Sequence, residues 1–331
     1  MYTLFLPSIA YLCIGYRRQP SLLIESNMPE IIRVQSITEV HNFLGIKKPK
    51  HPLVSVLRFG EDIPPLNLLP KDIQYVMDIY QISFKDGISG SMGYGRSSYD
   101  FEEGSMVFIA PGQALKLESE EHINNNQGWM LLFHPDLIRK SPLAQTIEDY
   151  SFFSYNVNEA LHLSEEEQTD IYQLVEKIKK EYSQNIDKHT QKLIIANIEL
   201  LLDYCNRYYD RQFYTRTNLN KDTVSRFETL LKGYYKSEQH LIHGLPTVKY
   251  CANELGMSPN YLSDLLRKET RRNAQDHIHA YIIDRAKTHL LQSSEPISQV
   301  AYELGFEYSQ HFSRLFKKKT GMSPKSYRNT N

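Results

Sequence analysis

The sequence predicts an α+β multidomain protein: a mainly β N-terminal part followed by helices, and an all-α C-terminal part built from two helix-turn-helix units. Three observations predict it. Between residues 31 and 150, short apolar or aromatic runs alternate with Gly, Pro and Asp turns. After Leu163 the apolar spacing becomes that of helices. Near the end of the chain, an Ala-x-Glu-Leu-Gly core recurs at a separation of 49 residues. A length of 331 residues with 41% hydrophobic composition is enough for more than one core.

Residues 1–30 are set apart as an N-terminal extension. Leu4 to Gly15 is a short apolar run broken by Pro7, too short to span a bilayer, and Arg17 and Arg18 follow it where a secretory signal would place basic residues before it. Met28-Pro29-Glu30 opens more ordinary globular sequence, so one expectation is that translation starts at Met28. Detection of a peptide from residues 1–27 in native protein would remove it.

Residues 31–160 read as a β domain. Its strand candidates are Leu53 to Phe59, Ile73 to Phe84, Met106 to Ile109 and Trp129 to Phe133, punctuated by Lys85-Asp86-Gly87, Glu102-Glu103-Gly104 and Pro111-Gly112. Several strands at this spacing suit a small barrel or sandwich. Residues 161–214 read as helical. Ser164 and Glu167 form a capping box, and Ile171, Leu174, Val175, Ile178 and Tyr182 follow at helical spacing. A second helix from about Lys188 to Tyr209 carries Leu193, Ile194, Ile198, Leu201, Leu202 and Cys205, a stripe broad enough to meet either another subunit or its own domain. The polar stretch 215–222 is the linker candidate, and residues 223–331 form the last domain.

Charge separates the two ends. The whole chain has 38 Lys+Arg and 39 Asp+Glu, but residues 1–220 carry a net charge of −7 and residues 221–331 one of +6. An acidic body with a basic end points to a polyanion as partner of the C-terminal part. Cys13, Cys205 and Cys251 stand far apart, without a CxxC or Cys/His cluster, which excludes a disulfide framework and an all-sulfur zinc site and fits a reducing, cytoplasmic setting. The histidines form no metal set: His277 and His279 point apart on one helix, and His41, His51, His122 and His134 are scattered. No cofactor is expected. No nucleophile–base pair stands out either, so the chain reads as no enzyme, the alternative being a β-domain enzyme that the basic end tethers to DNA.

The repeat gives the most chemistry. Ala252-Asn253-Glu254-Leu255-Gly256 matches Ala301-Tyr302-Glu303-Leu304-Gly305, and one extra residue later Ser263, Leu265, Lys268 and Thr270 meet Ser313, Leu315, Lys318 and Thr320. Each copy reads as a helix, a turn at glycine and a second helix. In the first, Val248, Cys251, Ala252 and Leu255 share one face, Ser258-Pro259 starts the next helix, and Leu262, Leu265 and Leu266 form its buried side. In the second, Ile297, Val300, Ala301 and Leu304 precede Phe312, Leu315 and Phe316. The outward residues are Asn260, Tyr261, Ser263, Asp264 and Arg267 in the first copy, and Tyr308, Ser309, Gln310, His311, Ser313, Arg314, Lys317 and Lys318 in the second. These are groove-reading or phosphate-holding side chains.

These motifs resemble the AraC/XylS family of bacterial transcription regulators. The resemblance is carried by Ile297 to Phe306 and by His311-Phe312-Ser313-Arg314-Leu315-Phe316-Lys317-Lys318-Lys319-Thr320-Gly321-Met322-Ser323-Pro324. It implies a sequence-specific regulator, activation being the commoner role, with double-stranded promoter DNA as partner and RNA polymerase where it activates. It also implies a homodimer, and an N-terminal domain that senses a small-molecule effector or dimerises. The stretch from Ala274 to Gln292, with Ile278, Ile282, Ala286 and Leu290 at steps of four, looks like the family's connecting helix. At ~1.5 Å per residue it spans roughly 28 Å, comparable to a DNA turn of ~34 Å, so the two units suit a bipartite site. Tyr99 to Gly112 resembles a cupin strand-turn-strand passage and implies a cupin-like barrel, with Gln113 to Leu115 where such proteins often place a histidine. Arg58, Tyr80, Tyr94, Arg96 and Trp129, with Tyr75 and Tyr99, are the effector-pocket candidates, ordinary core and surface roles being the alternative for each.

Two positions depart from the repeat. Lys319-Thr320-Gly321 ends on a glycine suited to a left-handed helix cap, whereas the first copy has Glu269-Thr270-Arg271. Either Asn273 builds that cap or Arg271 stays for a phosphate. Asp264 stands where the second copy has Arg314 and puts a carboxylate in the expected interface, either to accept from cytosine N4 or to orient Arg267.

Overall fold

The structure is a computed structural model and describes residues 31–63, 74–86, 91–94, 97–100, 104–116, 127–156, 159–215 and 217–329. The N-terminal part contains β1 (Ile31–Val34), α1 (Ile37–Phe43), β2 (Val54–Arg58), β3 (Gln74–Met77), β4 (Tyr80–Asp86), β5 (Ser91–Tyr94), β6 (Ser97–Asp100), β7 (Ser105–Ile109), β8 (Ala114–Lys116) and β9 (Gln127–Phe133). It continues through α2 (Pro135–Ile138), α3 (Leu143–Thr146), two 3-10 turns (Ile147–Asp149 and Ser151–Ser154) and β10 (Leu161–His162) to the long helices α4 (Glu165–Ser183) and α5 (Thr190–Thr215).

These strands form two five-stranded sheets, ordered β1-β3-β8-β5-β6 and β10-β7-β4-β9-β2. The β-rich N-terminal part is as expected, but the described strands do not close into one barrel. The run expected from Ile73 to Phe84 is two strands, because Asp78 turns the chain: its N–H donates to the Val34 carbonyl and its carboxylate takes both guanidinium bonds of Arg33, at 2.9 Å each. The second sheet supplies the main core. Val54, Val56, Ile82, Phe84, Met106, Phe108, Trp129, Leu131 and Phe133 face α4 and α5, whose Ile171, Leu174, Val175, Ile178, Ile194, Ile198, Leu201 and Leu202 complete the layer. The capping box at Ser164 and Glu167 is present and starts α4 where the sequence placed it.

The C-terminal part comprises α6 (Thr217–Lys236), α7 (Gln239–His243), α8 (Val248–Leu255), α9 (Pro259–Thr270), α10 (Ala274–Gln292), α11 (Ile297–Glu303), α12 (Ser309–Thr320) and α13 (Pro324–Arg328). The described residues of the stretch expected as a linker, Thr215 at the end of α5 and 217–222 in α6, are helical instead. The stretch lacks Gly and Pro, and buried Asn220 donates to the Phe213 carbonyl at the end of α5 and to Glu269 in α9, so its polarity serves packing. A separate core surrounds α10, whose Ile278, Ile282, Ala286 and Leu290 are all buried as the step of four predicts, with Phe227, Leu231, Cys251, Ala252, Leu262, Leu266, Val300, Ala301, Phe312 and Phe316. Among the described residues, no helix is long and apolar enough to cross a membrane.

Candidate nucleic-acid interface

Each repeat folds as helix, turn, helix. In the first unit Thr247 caps α8, and Gly256 ends it with φ +72°. Ser258 then caps α9 by accepting from the Tyr261 N–H, with Pro259 in the first turn. In the second unit Gly305, at φ +90°, separates α11 from α12, and a Cβ there would lie 2.8 Å from the His240 carbonyl oxygen. Ala252 and Ala301, both fully buried, let the paired helices approach, and Leu262 and Leu266 occupy the places that Phe312 and Phe316 take in the second unit.

The C-caps answer the Arg271 question in part. Arg271 itself adopts the left-handed conformation, φ 65° and ψ 13°, and its N–H bonds to the Arg267 carbonyl just as the Gly321 N–H bonds to Lys317. Asn273 instead caps the N-terminus of α10, accepting from the Asp276 N–H at 2.8 Å.

The exposed face of α12 gathers most of the second-unit candidates. Tyr308, Gln310, His311, Arg314, Lys317 and Lys318 are exposed, while Ser309 and Ser313 are half-buried. Tyr308 packs edge-on against His311, with ring centroids 5.4 Å apart. Gln310, Arg314, Lys317 and Lys318 make no side-chain hydrogen bond or ion pair with the described residues, whereas Lys319 is committed to Asp276 at 2.7 Å. The free groups are two cations of a phosphate-holding type, one guanidinium suited to a base edge and one amide.

The first unit differs. Asn260 and Arg267 are exposed and Ser263 is half-buried, but Tyr261 is 7% exposed. The sequence reading of Tyr261 as an outward residue fails because a second apolar surface, absent from the repeat's logic, covers it: its ring sits 5.2 Å from Tyr155 and 5.1 Å from Phe213. Asp264 accepts from the Tyr155 hydroxyl at 2.8 Å and from Arg267 at 3.0 Å. It therefore does orient Arg267, while its other oxygen faces the N-terminal part. Leu265, expected beside Leu262 and Leu266, belongs to the N-terminal core instead.

Sequence reasoning missed Glu159. This carboxylate is 5% exposed and accepts from the Ser258 N–H at 2.6 Å and from the Ser258 hydroxyl at 2.5 Å, at the N-terminus of α9. Burial raises its pKa against the lowering effect of those bonds. No local signal marks it, since its partner lies 99 positions away.

Among the described effector candidates, Arg58 and Trp129 face each other across β2 and β9, but each is engaged elsewhere. Arg58 donates to Glu176 and to the Tyr172 hydroxyl on α4, Tyr80 stacks on Phe133, and Trp129 is buried against Phe84. Tyr75, on β3 of the other sheet, packs edge-on against Phe43 of α1. Arg96 lies outside the described residues, and the side chains of Tyr94 and Tyr99 lie outside what is described. The opposite face of β4 instead carries Gln81, Ser83 and Lys85, all buried, with the Lys85 amine pushed down to about 8 by burial. A polar residue at every second position of a buried strand was the signal for this row. Near α10, His289, Glu295 and Glu303 converge with ligand atoms within 4.8 Å, and His289 and Glu303 are 3.1 Å apart. This half-exposed group escaped the scan for metal sets because its members are distant in sequence.

A family model for a helix-turn-helix domain matches residues 251–330. The HTH-type transcriptional regulator YobQ of Bacillus subtilis (strain 168) is 36% identical over 91 residues, covering 28% of this chain and 37% of that protein. YijO of Escherichia coli (strain K12), also an HTH-type transcriptional regulator, is 29% identical over 142 residues, covering 43% and 46% of the two chains. The arabinose operon regulatory protein of Escherichia coli (strain K12) is 33% identical over 89 residues, covering 27% and 30%. The chain thus spans less than half the length of each of these relatives.

Proposed function

We propose that the chain is an AraC-family DNA-binding transcription regulator that reads a bipartite promoter site, as a homodimer, under the control of its N-terminal part, a reading supported by its C-terminal helix-turn-helix domain and its relatives. The observation that carries this reading is the open face of α12. Gln310 and Arg314 stand free on the helix that, in helix-turn-helix proteins, enters the major groove, with Lys317 and Lys318 beside them for phosphates. A second unit of the same build at the other side of the 19-residue α10 supports a site in two parts about one DNA turn apart. Relatives that are transcription regulators accord with a non-enzymatic role. The family resemblance favours activation, with RNA polymerase as the further partner.

Dimerisation is assigned to α5. Leu193 and Leu200 are each 45% exposed and one heptad apart, on a helix whose other face is buried. The N-terminal part is read as a cupin-like sensor.

The test is selection of genomic DNA fragments by the full-length protein, with Arg314→Ala and Gln310→Ala run in parallel. A two-part motif relaxed at one part by the variants supports the reading. Recovery without any motif, unchanged by the variants, refutes it.

A further inference from the structure

Aligned on their shared sequence, α9 and α12 present equivalent faces with opposite fates. His311, Arg314 and Lys318 on α12 are exposed. Their counterparts Tyr261, Asp264 and Lys268 face the N-terminal part: Tyr261 lies between Tyr155 and Phe213, Asp264 holds the Tyr155 hydroxyl, and Lys268 pairs with Asp210. The substitutions follow the burial. An aromatic ring replaces an imidazole, and a carboxylate replaces a guanidinium exactly where a hydroxyl donor waits.

Glu159 completes the arrangement. A recognition helix enters the groove by its N-terminal residues, and the backbone N–H groups there are natural phosphate ligands. At α9 that end is closed, since Ser258 is 3% exposed and both its N–H and its hydroxyl are spent on the Glu159 carboxylate. The carboxylate thus holds donors that a DNA phosphate would seek, while Tyr261 and Leu265 are sunk in the N-terminal core.

We propose that the first helix-turn-helix unit is held off DNA by intramolecular docking, with Glu159 standing in for a phosphate and Tyr155 latching Asp264, so that α12 reads its half-site alone until the N-terminal part lets α9 go. This rests on the DNA-binding reading above and adds a regulated asymmetry to it. Docking and groove entry by α9 are mutually exclusive, because they use the same face and the same donors. The apparent affinity for a two-part site is lowered by the fraction of molecules docked. A ligand or partner that separates the two surfaces therefore lengthens the site read without altering α12.

The test uses the full chain with Glu159→Gln and Tyr155→Phe, neither of which belongs to the DNA-binding domain. Two probes are compared, a two-part DNA selected with the Tyr155→Phe protein and the same DNA with the α9 part scrambled. Wild type is expected to bind both alike, with a footprint confined to the α12 part. Each variant is expected to gain about tenfold on the two-part DNA only, with protection extended by about one turn. Tyr155→Phe keeps the test open where Glu159→Gln disturbs the turn whose Asn156 N–H the same carboxylate accepts. Wild type that already protects both parts, with variants indistinguishable from it, overturns the proposal and leaves DNA reading intact. Loss of all Arg314-dependent binding, in wild type and variants alike, instead overturns the DNA reading and the docking proposal with it.

Discussion

Replacing Arg271 by glycine should stabilise the protein. The residue sits at φ 65°, ψ 13°, where a side chain crowds the backbone at a cost of about 1–2 kcal/mol. Glycine removes that cost but gives up roughly 0.5–1 kcal/mol through the greater freedom of the unfolded chain. Nothing else changes hands, since the backbone bond from residue 271 to the Arg267 carbonyl needs no side chain, and the Arg271 guanidinium is exposed and without a partner among the described residues. The net gain is about 0.5–1 kcal/mol. The matching position in the second unit supplies the reciprocal experiment. Gly321, at φ +79° with open space where a Cβ would go, should lose a similar amount on conversion to arginine.

The sequence contains one tryptophan, and Trp129 lies in the N-terminal core, so its fluorescence follows that core while far-UV circular dichroism follows the helices. Arg271→Gly should raise the dichroism midpoint by roughly 2–6 °C and leave the fluorescence transition in place. A lowered midpoint for Arg271→Gly, together with a lowered one for Gly321→Arg, would refute the backbone argument and show that the arginine stabilises its own cap.

Arg314→Ala should weaken binding to the selected DNA by about 1–3 kcal/mol and relax one position of the motif, whereas Lys317→Ala should weaken all sequences alike and reduce the salt slope by about one; competition binding at several salt concentrations separates the two. Lys85 is buried, with its amine lowered to about 8 from an ordinary 10.5, so between those values the unfolded chain holds a proton that the folded chain has released. Folding stability should therefore rise with pH through that window, by an amount on the order of 3 kcal/mol, and urea titrations should show Lys85→Met more stable than wild type at pH 7 with that component of the rise removed. Gly305→Ala should cost more than Gly256→Ala in thermal melts, because both glycines have positive φ but only at Gly305 does an added Cβ meet backbone, 2.8 Å from the His240 oxygen.

What the sequence made legible were features set by near neighbours. The capping box at Ser164 and Glu167, the four-step stripe of α10 and the glycines between paired helices depend on residues a turn or two apart, and each is where its pattern put it. Features requiring distant partners were not legible. Asn220 looked like part of a polar linker because its partners, Phe213 and Glu269, belong to different domains. The ion pair of Arg58 was hidden for the same reason, since its partner Glu176 lies 118 positions away. Tyr261 is the instructive case: its side of α9 is correctly outside the helix-turn-helix core, yet not outside the protein. Amphipathic spacing tells which side of a helix meets its own domain and says nothing of a second domain waiting opposite.

Asp264 had the appearance of an error in a DNA-reading helix, and the two-copy comparison explains why it is not one. A carboxylate beside phosphates is repelled unless it accepts from a cytosine N4, and here its oxygens are taken by the Tyr155 hydroxyl and Arg267. Asp at one copy and Arg at the other accord with the docking proposal, in which the first copy meets a different surface for part of its working life. The charge division of the chain has the same logic. A body of net −7 attracts an end of net +6 through the same long-range field that draws that end to DNA. The acidic groups nearest the contact, Glu159 and Asp210, are placed on the α9 side, where they reach Ser258 and Lys268. On α12, by contrast, Arg314, Lys317 and Lys318 form no ion pair with the described residues. The asymmetry that sequence repeats conceal is thus written in the charges at equivalent positions, and on the docking proposal one helix belongs to the groove and the other to a choice between groove and domain.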